Sequence, residues 1–157
     1  MPTVAAMFPS KTTTLLAALG AMLACSPAAD AASGVVSTTA EQRMQAAKVA
    51  ARKAGSPYSW GAAGPGSFDC SGLVNYAYRI AGRPLRARTS YDLFRHGVRV
   101  RRAGLKRGDL VWTYDRGLGH MGMYLGGNRY VHAPGAGRRV EVAMLPGGSA
   151  YVGGVRP

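Results

Sequence analysis

Cysteine is scarce: only Cys25 and Cys70 occur among 157 residues. This excludes a scaffold stapled by several disulfides and a four-cysteine zinc site. Acidic residues are also few, with 7 Asp+Glu against 20 Lys+Arg and a formal net charge of +13. Such an excess favours a polyanionic partner without saying which one. No apolar run reaches the roughly 20 residues that a membrane-spanning helix needs, so no stable membrane span is expected. A P-loop and an H-E-x-x-H motif are absent, and no internal repeat is visible. What is present is 47% hydrophobic residues and only 17% charged ones, in a chain of one domain's length. That composition supports a single buried core rather than disorder.

Residues 1–32 differ from the rest. Lys11 precedes the apolar run Leu15 to Ala24, and small residues follow, including Ala29-Asp30-Ala31. A charge, a short apolar stretch and a small-residue exit read as a secretory signal peptide. Met22-Leu23-Ala24-Cys25 also resembles a lipoprotein box, so a lipid anchor on Cys25 is the alternative to release. Cleavage near Ala31 leaves Cys70 as the only thiol, and residues 33–157 keep the full charge of +13.

Along residues 33–157 helical signals come first. Thr38-x-x-Glu41 reads as a capping box that opens a helix reaching Lys53, with Met44, Ala47, Val49 and Ala51 on its apolar side. Gly55 ends it, and a glycine- and proline-rich loop runs to residue 67 around Tyr58 and Trp60. Leu73, Tyr76, Ala77 and Ile80 mark one face of a second helix over 71–81, with Cys70 at its start. A short helical piece is expected over 90–97. After Gly104 the pattern changes to short runs at 109–114, 121–125, 130–133, 140–143 and 151–155, rich in Val, Tyr and Met. Helices followed by strands predict an α+β fold, with helices packed on a roughly five-stranded antiparallel sheet.

Three residues carry candidate chemistry: Cys70, His120 and His132. A helix N-terminus supplies backbone N–H groups that stabilise a thiolate and that can hold an oxyanion. A nearby histidine can take the thiol proton, and a third polar group can fix its tautomer. His120 opens one strand and His132 lies on the next, across Gly126-Gly127-Asn128. An odd-numbered connection puts both on one face of the hairpin; an even one separates them. Other readings stand beside this one. Cys70 can be a small buried hydrophobe, His132 a satisfied polar residue, and Cys70, His120 and His132 can bind zinc together. His96, in a basic stretch, reads as solvated surface.

Five blocks follow one another: Pro57-Tyr58-x-Trp60-Gly61-Ala62; Phe68-Asp69-Cys70-Ser71-Gly72-Leu73-Val74; Gly108-Asp109-Leu110-Val111; Gly119-His120-Met121-Gly122-Met123-Tyr124-Leu125-Gly126; and Val131-His132-Ala133-Pro134. In order and spacing, over roughly residues 45–156, they resemble the NlpC/p60 family of cell-wall cysteine peptidases. The resemblance implies a papain-like catalytic domain over 33–157. It implies cleavage of peptidoglycan stem peptides, typically between D-glutamate and meso-diaminopimelate or lysine, through an acyl-thioenzyme. It implies Cys70 as nucleophile, His120 as base and His132 as its orienting partner, with no cofactor and no metal. It also implies substrate contacts from Tyr58 and Asp69, alongside Ser71, Arg88 and Ser90. In the block Arg88-Thr89-Ser90 the chain departs from the family, because Leu93 stands where a glutamine often follows. The same thiol site also suits a muramoyl-L-alanine amidase or an acyltransferase, and a catalytically silent wall-binding protein is a further alternative.

Residues 86–107 hold eight basic side chains against Asp92 alone. In a secreted or wall-bound monomer this charge fits peptidoglycan and anionic cell-wall polymers. Nucleic acid is not expected, since no basic motif is interleaved with aromatics.

Overall fold

The computed structural model describes Met1, residues 38–114 and residues 116–157. Apart from Met1, the expected leader, with Cys25, lies outside these residues. The first helix, α1, spans Ala40–Ala51. Its capping box is Thr39 with Gln42, one residue later than expected. Thr38 is used elsewhere: its backbone N–H donates to the Pro157 carbonyl at 3.0 Å, and its hydroxyl donates to the same oxygen. The buried face of α1 is Arg43, Ala46, Ala47, Val49 and Ala50, whereas Met44 is exposed. Alanines at this spacing let α1 lie close against its neighbour, the second helix.

That helix, α2, spans Cys70–Ile80. Its buried stripe is Ser71, Gly72, Leu73, Val74, Ala77 and Tyr78, and Ile80 points outward. Asp69 is the N-cap and accepts a 2.5 Å hydrogen bond from the Gly72 amide. Gly72 admits no side chain: a Cβ there would lie 2.0 Å from the Ala62 carbonyl oxygen. The loop before α2 is thus pressed directly onto the helix start, which fixes where Cys70 emerges. A short helix, α3, covers Ser90–His96, and His96 is exposed as expected.

The strands are β1 (Val98–Val100), β2 (Leu110–Thr113), β3 (Met121–Gly126), β4 (Arg129–His132), β5 (Glu141–Met144) and β6 (Tyr151–Arg156). They form one antiparallel sheet in the order β1-β6-β2-β3-β4-β5. The α+β expectation is borne out, with six strands in place of about five. The additional strand, β1, is a three-residue edge whose exposed Val98 and Arg99 carry no alternating signal. The main core joins Leu73, Val74, Ala77 and Tyr78 of α2 and the alanines of α1 to Leu110, Trp112, Met121, Met123, Val131 and Val155 of the sheet. Val111, Tyr130 and Leu145 form a smaller cluster. Asp109, fully buried before β2, receives two hydrogen bonds from Arg156, at 2.9 and 2.7 Å.

Candidate active site

Cys70 is the first residue of α2 and lies half-buried in a cleft of about 480 Å³. Tyr58, Trp60, His120, His132 and Arg138 line the same cleft. The Cys70 thiol donates to the Gly119 carbonyl at 3.7 Å, one residue before His120. Burial pushes the thiol above its ordinary value, and the charge of Asp69 adds to this. The backbone amides of Met121, Ser71 and Cys70 pull the other way without reversing it. In this cleft burial outweighs the amides of the helix start, so the isolated thiol stays protonated. A base has to complete the ionisation, and the same amides are placed to receive developing negative charge.

The hairpin register brings the histidines together. Gly122 of β3 is paired with His132 of β4, so His120, two residues before Gly122, falls on the His132 face. His120 Nε2 and His132 Nδ1 are 2.8 Å apart. These nitrogens face each other and share a proton between them. The rings meet edge to face, with centroids 5.0 Å apart. Tyr130, two residues earlier on β4, stacks on the His132 ring at 4.4 Å and 22°. Burial and the neighbouring His120 push His132 down to about 4, although Glu141 opposes the shift. His132 is thus neutral at ordinary pH. Among the described residues no group of three His, Cys, Asp or Glu side chains could hold a metal ion.

The other expected site residues are placed as follows. Tyr58 is half-buried beside Cys70, and burial, with the Cys70 and Asp69 charges, raises its phenol, which stays protonated as a donor. Asp69 is saturated within the protein: Arg88 donates to both its oxygens, and Ser71 and the Gly72 amide donate to Oδ1. Burial alone would raise its carboxyl, but the hydrogen bonds from Arg88 and Gly72 outweigh this and hold it below the usual range. Arg88 also donates to the Ser71 hydroxyl at 2.8 Å and to the Gly61 carbonyl at 3.0 Å. Ser90 donates to the Leu118 carbonyl and accepts from the Trp112 indole at 3.0 Å, so its hydroxyl braces the loop before His120. Leu93 is buried in the core. A second cleft of about 500 Å³ shares Trp60, Cys70 and Gly119 with the first and is bordered by Asp69, Ser71, Arg88 and Ser90.

Sequence reasoning missed Glu141 and Arg138. Glu141 Oε1 lies 3.3 Å from His132 Nε2, and Arg138 donates to the same oxygen at 2.8 Å. Only the β4–β5 register, which pairs His132 with Glu141, reveals this contact. Trp60 is 88% exposed on the rim shared by both clefts.

The model of the NlpC/P60 family matches residues 55–151, which include Cys70, His120 and His132. The chain belongs to the NlpC/P60 family. This NlpC/P60 chain is 35% identical over 132 residues to the murein DD-endopeptidase MepH of Escherichia coli (strain K12), covering 77% of this chain and 49% of that protein. It is 40% identical over 107 residues to a probable endopeptidase of Corynebacterium glutamicum (strain R), covering 68% of this chain and 48% of the other. Among solved structures it resembles the peptidoglycan hydrolase RipB of Mycobacterium tuberculosis, with a TM-score of 0.64 and 31% identity over 75% of this chain and 65% of that one. The chain spans about half the length of the curated relatives it matches. The NlpC/P60 assignment agrees with the papain-like α+β expectation.

Proposed function

We propose that this protein is a cysteine peptidase that hydrolyses stem peptides of peptidoglycan, cutting the bond between D-glutamate and the diamino acid. The observation that carries the reading is the alignment of Cys70 at a helix start with a hydrogen-bonded His120–His132 pair in one cleft. The family and the peptidoglycan-directed names of its relatives support the substrate class.

The chemistry runs in two halves. His120 takes the Cys70 proton, and the thiolate attacks the scissile carbonyl carbon. Backbone amides at the start of α2 receive the negative charge on the oxygen. The tetrahedral intermediate collapses, the C–N bond breaks, and His120 returns the proton to the leaving amine. A water then loses a proton to His120 and attacks the thioester, which releases the new carboxylate and restores the thiol. Tyr58 donates its hydroxyl beside the reacting sulfur. Ser71 and Arg88 border the second cleft, where we infer that the acyl part of the peptide lies, while Asp69 and Ser90 hold that wall in place.

A second reading is cleavage of a D,D cross-link, which the name of the E. coli relative favours. Mass spectrometry of digested, defined muropeptides separates the two. The first cut releases an L-alanyl-D-glutamate end, whereas the second opens cross-linked dimers and leaves the stems otherwise intact. Digestion products showing neither cut would overturn both readings. Among the described residues no helix is long and apolar enough to cross a membrane. We further propose action outside the membrane, at the wall, aided by the exposed cations Arg86, Arg95, Arg99, Arg101 and Lys106. Arg102 contributes less to that attraction, because it is tied to Pro146, Leu145 and Asn128.

A further inference from the structure

We propose that Glu141 is a positioning residue for the thiol reaction, acting on Cys70 through His132 and His120. The inference rests on the thiol-hydrolase reading above. It follows from which ring nitrogens face which neighbours. When Cys70 is a thiolate, His120 is an imidazolium and both its nitrogens donate. Its Nε2 points to His132 Nδ1 at 2.8 Å, so His132 has to accept there. A neutral imidazole that accepts at Nδ1 carries its hydrogen on Nε2. That Nε2 is buried, and Glu141 Oε1 stands 3.3 Å from it. The contact is electrostatic rather than an aligned hydrogen bond, yet its sign is decisive. A carboxylate oxygen favours N–H and disfavours a lone pair at that distance.

The opposite tautomer would put hydrogen on His132 Nδ1. It would aim the Nε2 lone pair at the carboxylate and make His120 Nε2 the acceptor, which opposes the imidazolium. Glu141 therefore selects the tautomer that leaves His120 Nδ1 as the basic nitrogen for the thiol. The groups around it hold the arrangement. Arg138 Nη2 pins Oε1 at 2.8 Å, and direct pairing of His132 with Glu141 across β4 and β5 sets the approach. Tyr130 stacks on the His132 ring and fixes its plane. The bland alternative is that Glu141 and Arg138 are only an exposed ion pair three residues apart.

The test uses the whole protein with ¹⁵N-labelled histidine, in wild-type, Glu141→Ala and Glu141→Gln forms. Ring ¹⁵N shifts report the His132 tautomer, and iodoacetamide reports the reactivity of Cys70 at pH 7. Neither readout needs a peptidoglycan substrate, so their outcome is separable from failure of the proposed reaction. The expected wild-type tautomer carries hydrogen on Nε2. Glu141→Ala should shift His132 toward the other tautomer and slow alkylation by five- to twentyfold. On a cleaved muropeptide, kcat should fall in step while KM stays within twofold. Glu141→Gln, whose amide oxygen can still accept, should recover most of the loss. If Glu141→Ala perturbs folding, Glu141→Val keeps a strand-forming side chain and carries the same readouts. An unchanged tautomer and unchanged alkylation in a folded Ala or Val variant would overturn the proposal.

Discussion

Gly122 on β3 sits directly opposite His132 on β4, and a side chain at position 122 would come within 2.9 Å of the histidine Cβ. It would also lie 2.5 Å from the Val131 carbonyl oxygen and 2.7 Å from the Tyr130 ring. The missing side chain is what lets Tyr130, His132 and His120 lie in one packed row. Replacing Gly122 with Ala should push β4 away and break the 2.8 Å contact between the histidines. We expect a loss of about 1–3 kcal/mol in stability, as for other overpacked sites. Activity should drop by about tenfold or more, because the base is displaced. Chemical denaturation together with muropeptide turnover checks both numbers.

Ionisation of Cys70 should depend on His120. Burial keeps the isolated thiol above its ordinary value of 9.0, so only proton transfer to His120 gives reactivity near neutrality. Wild-type protein should react with iodoacetamide well below pH 8. In His120→Ala the rate at pH 6.5 should fall by about tenfold or more, and the apparent midpoint should move above that of a free thiol. A pH series of alkylation rates reads this directly.

His132 should make the fold acid-sensitive. Its folded value of about 4 lies below the ordinary 6.5. Between these values the unfolded chain binds a proton that the native chain does not, so stability falls as pH drops from 6.5 toward 4. The full loss is on the order of 3 kcal/mol for this buried ring. Asp69 acts in a different window. Its folded value is depressed, so its contribution is lost only at lower pH, near and below 3.8. Urea titrations from pH 7 to 4 should show the slope in wild-type protein and a flatter one in His132→Gln. Equal slopes would contradict the assignment of a buried neutral ring.

Arg88 should matter for the position of Cys70 as well as for substrate. It is the partner of the nearly buried Asp69, which caps α2. Arg88→Met leaves that carboxylate without its cation. Because the Arg88 side chain is 44% exposed, the cost should be about 1–2 kcal/mol rather than that of a fully buried pair. Alkylation of Cys70 should slow with it, since the start of α2 loses its anchor. Thermal melting and the alkylation rate measured together check this.

Much of this arrangement was legible in the linear pattern, for identifiable reasons. The spacing of Leu73 and Ala77 located α2, and Asp69 followed by Cys70 marked its start. Only Gly127 and Asn128 connect β3 to β4, an even number that by itself separates His120 from His132; the register shift between Tyr124 and Gly126 pairs Gly122 with His132 and restores their common face. Thr39 caps α1 in place of the expected Thr38, because Thr38 is bonded to the Pro157 carbonyl, a contact 119 residues away with no local signature. Met44 and Ile80 fit apolar spacing yet point outward, and on α1 the buried face is carried largely by alanines. Glu141 and Arg138 join the site through the pairing of β4 with β5, a long-range relation with no short-range signature. Asp69, Ser71 and Arg88 are expected substrate contacts from the motif alone. Their network with the Gly61 carbonyl depends on how the loop folds onto Gly72.

In the proposed reaction Cys70 becomes acylated by a stem peptide. Intact-protein mass spectrometry after an acid quench tests it most directly, using a defined muropeptide with wild-type and Cys70→Ala protein. A transient mass increase equal to the acyl fragment, mapped to Cys70, is expected in the wild type, with neither adduct nor cleavage in the variant. Cleavage that persists in Cys70→Ala without any adduct would contradict it.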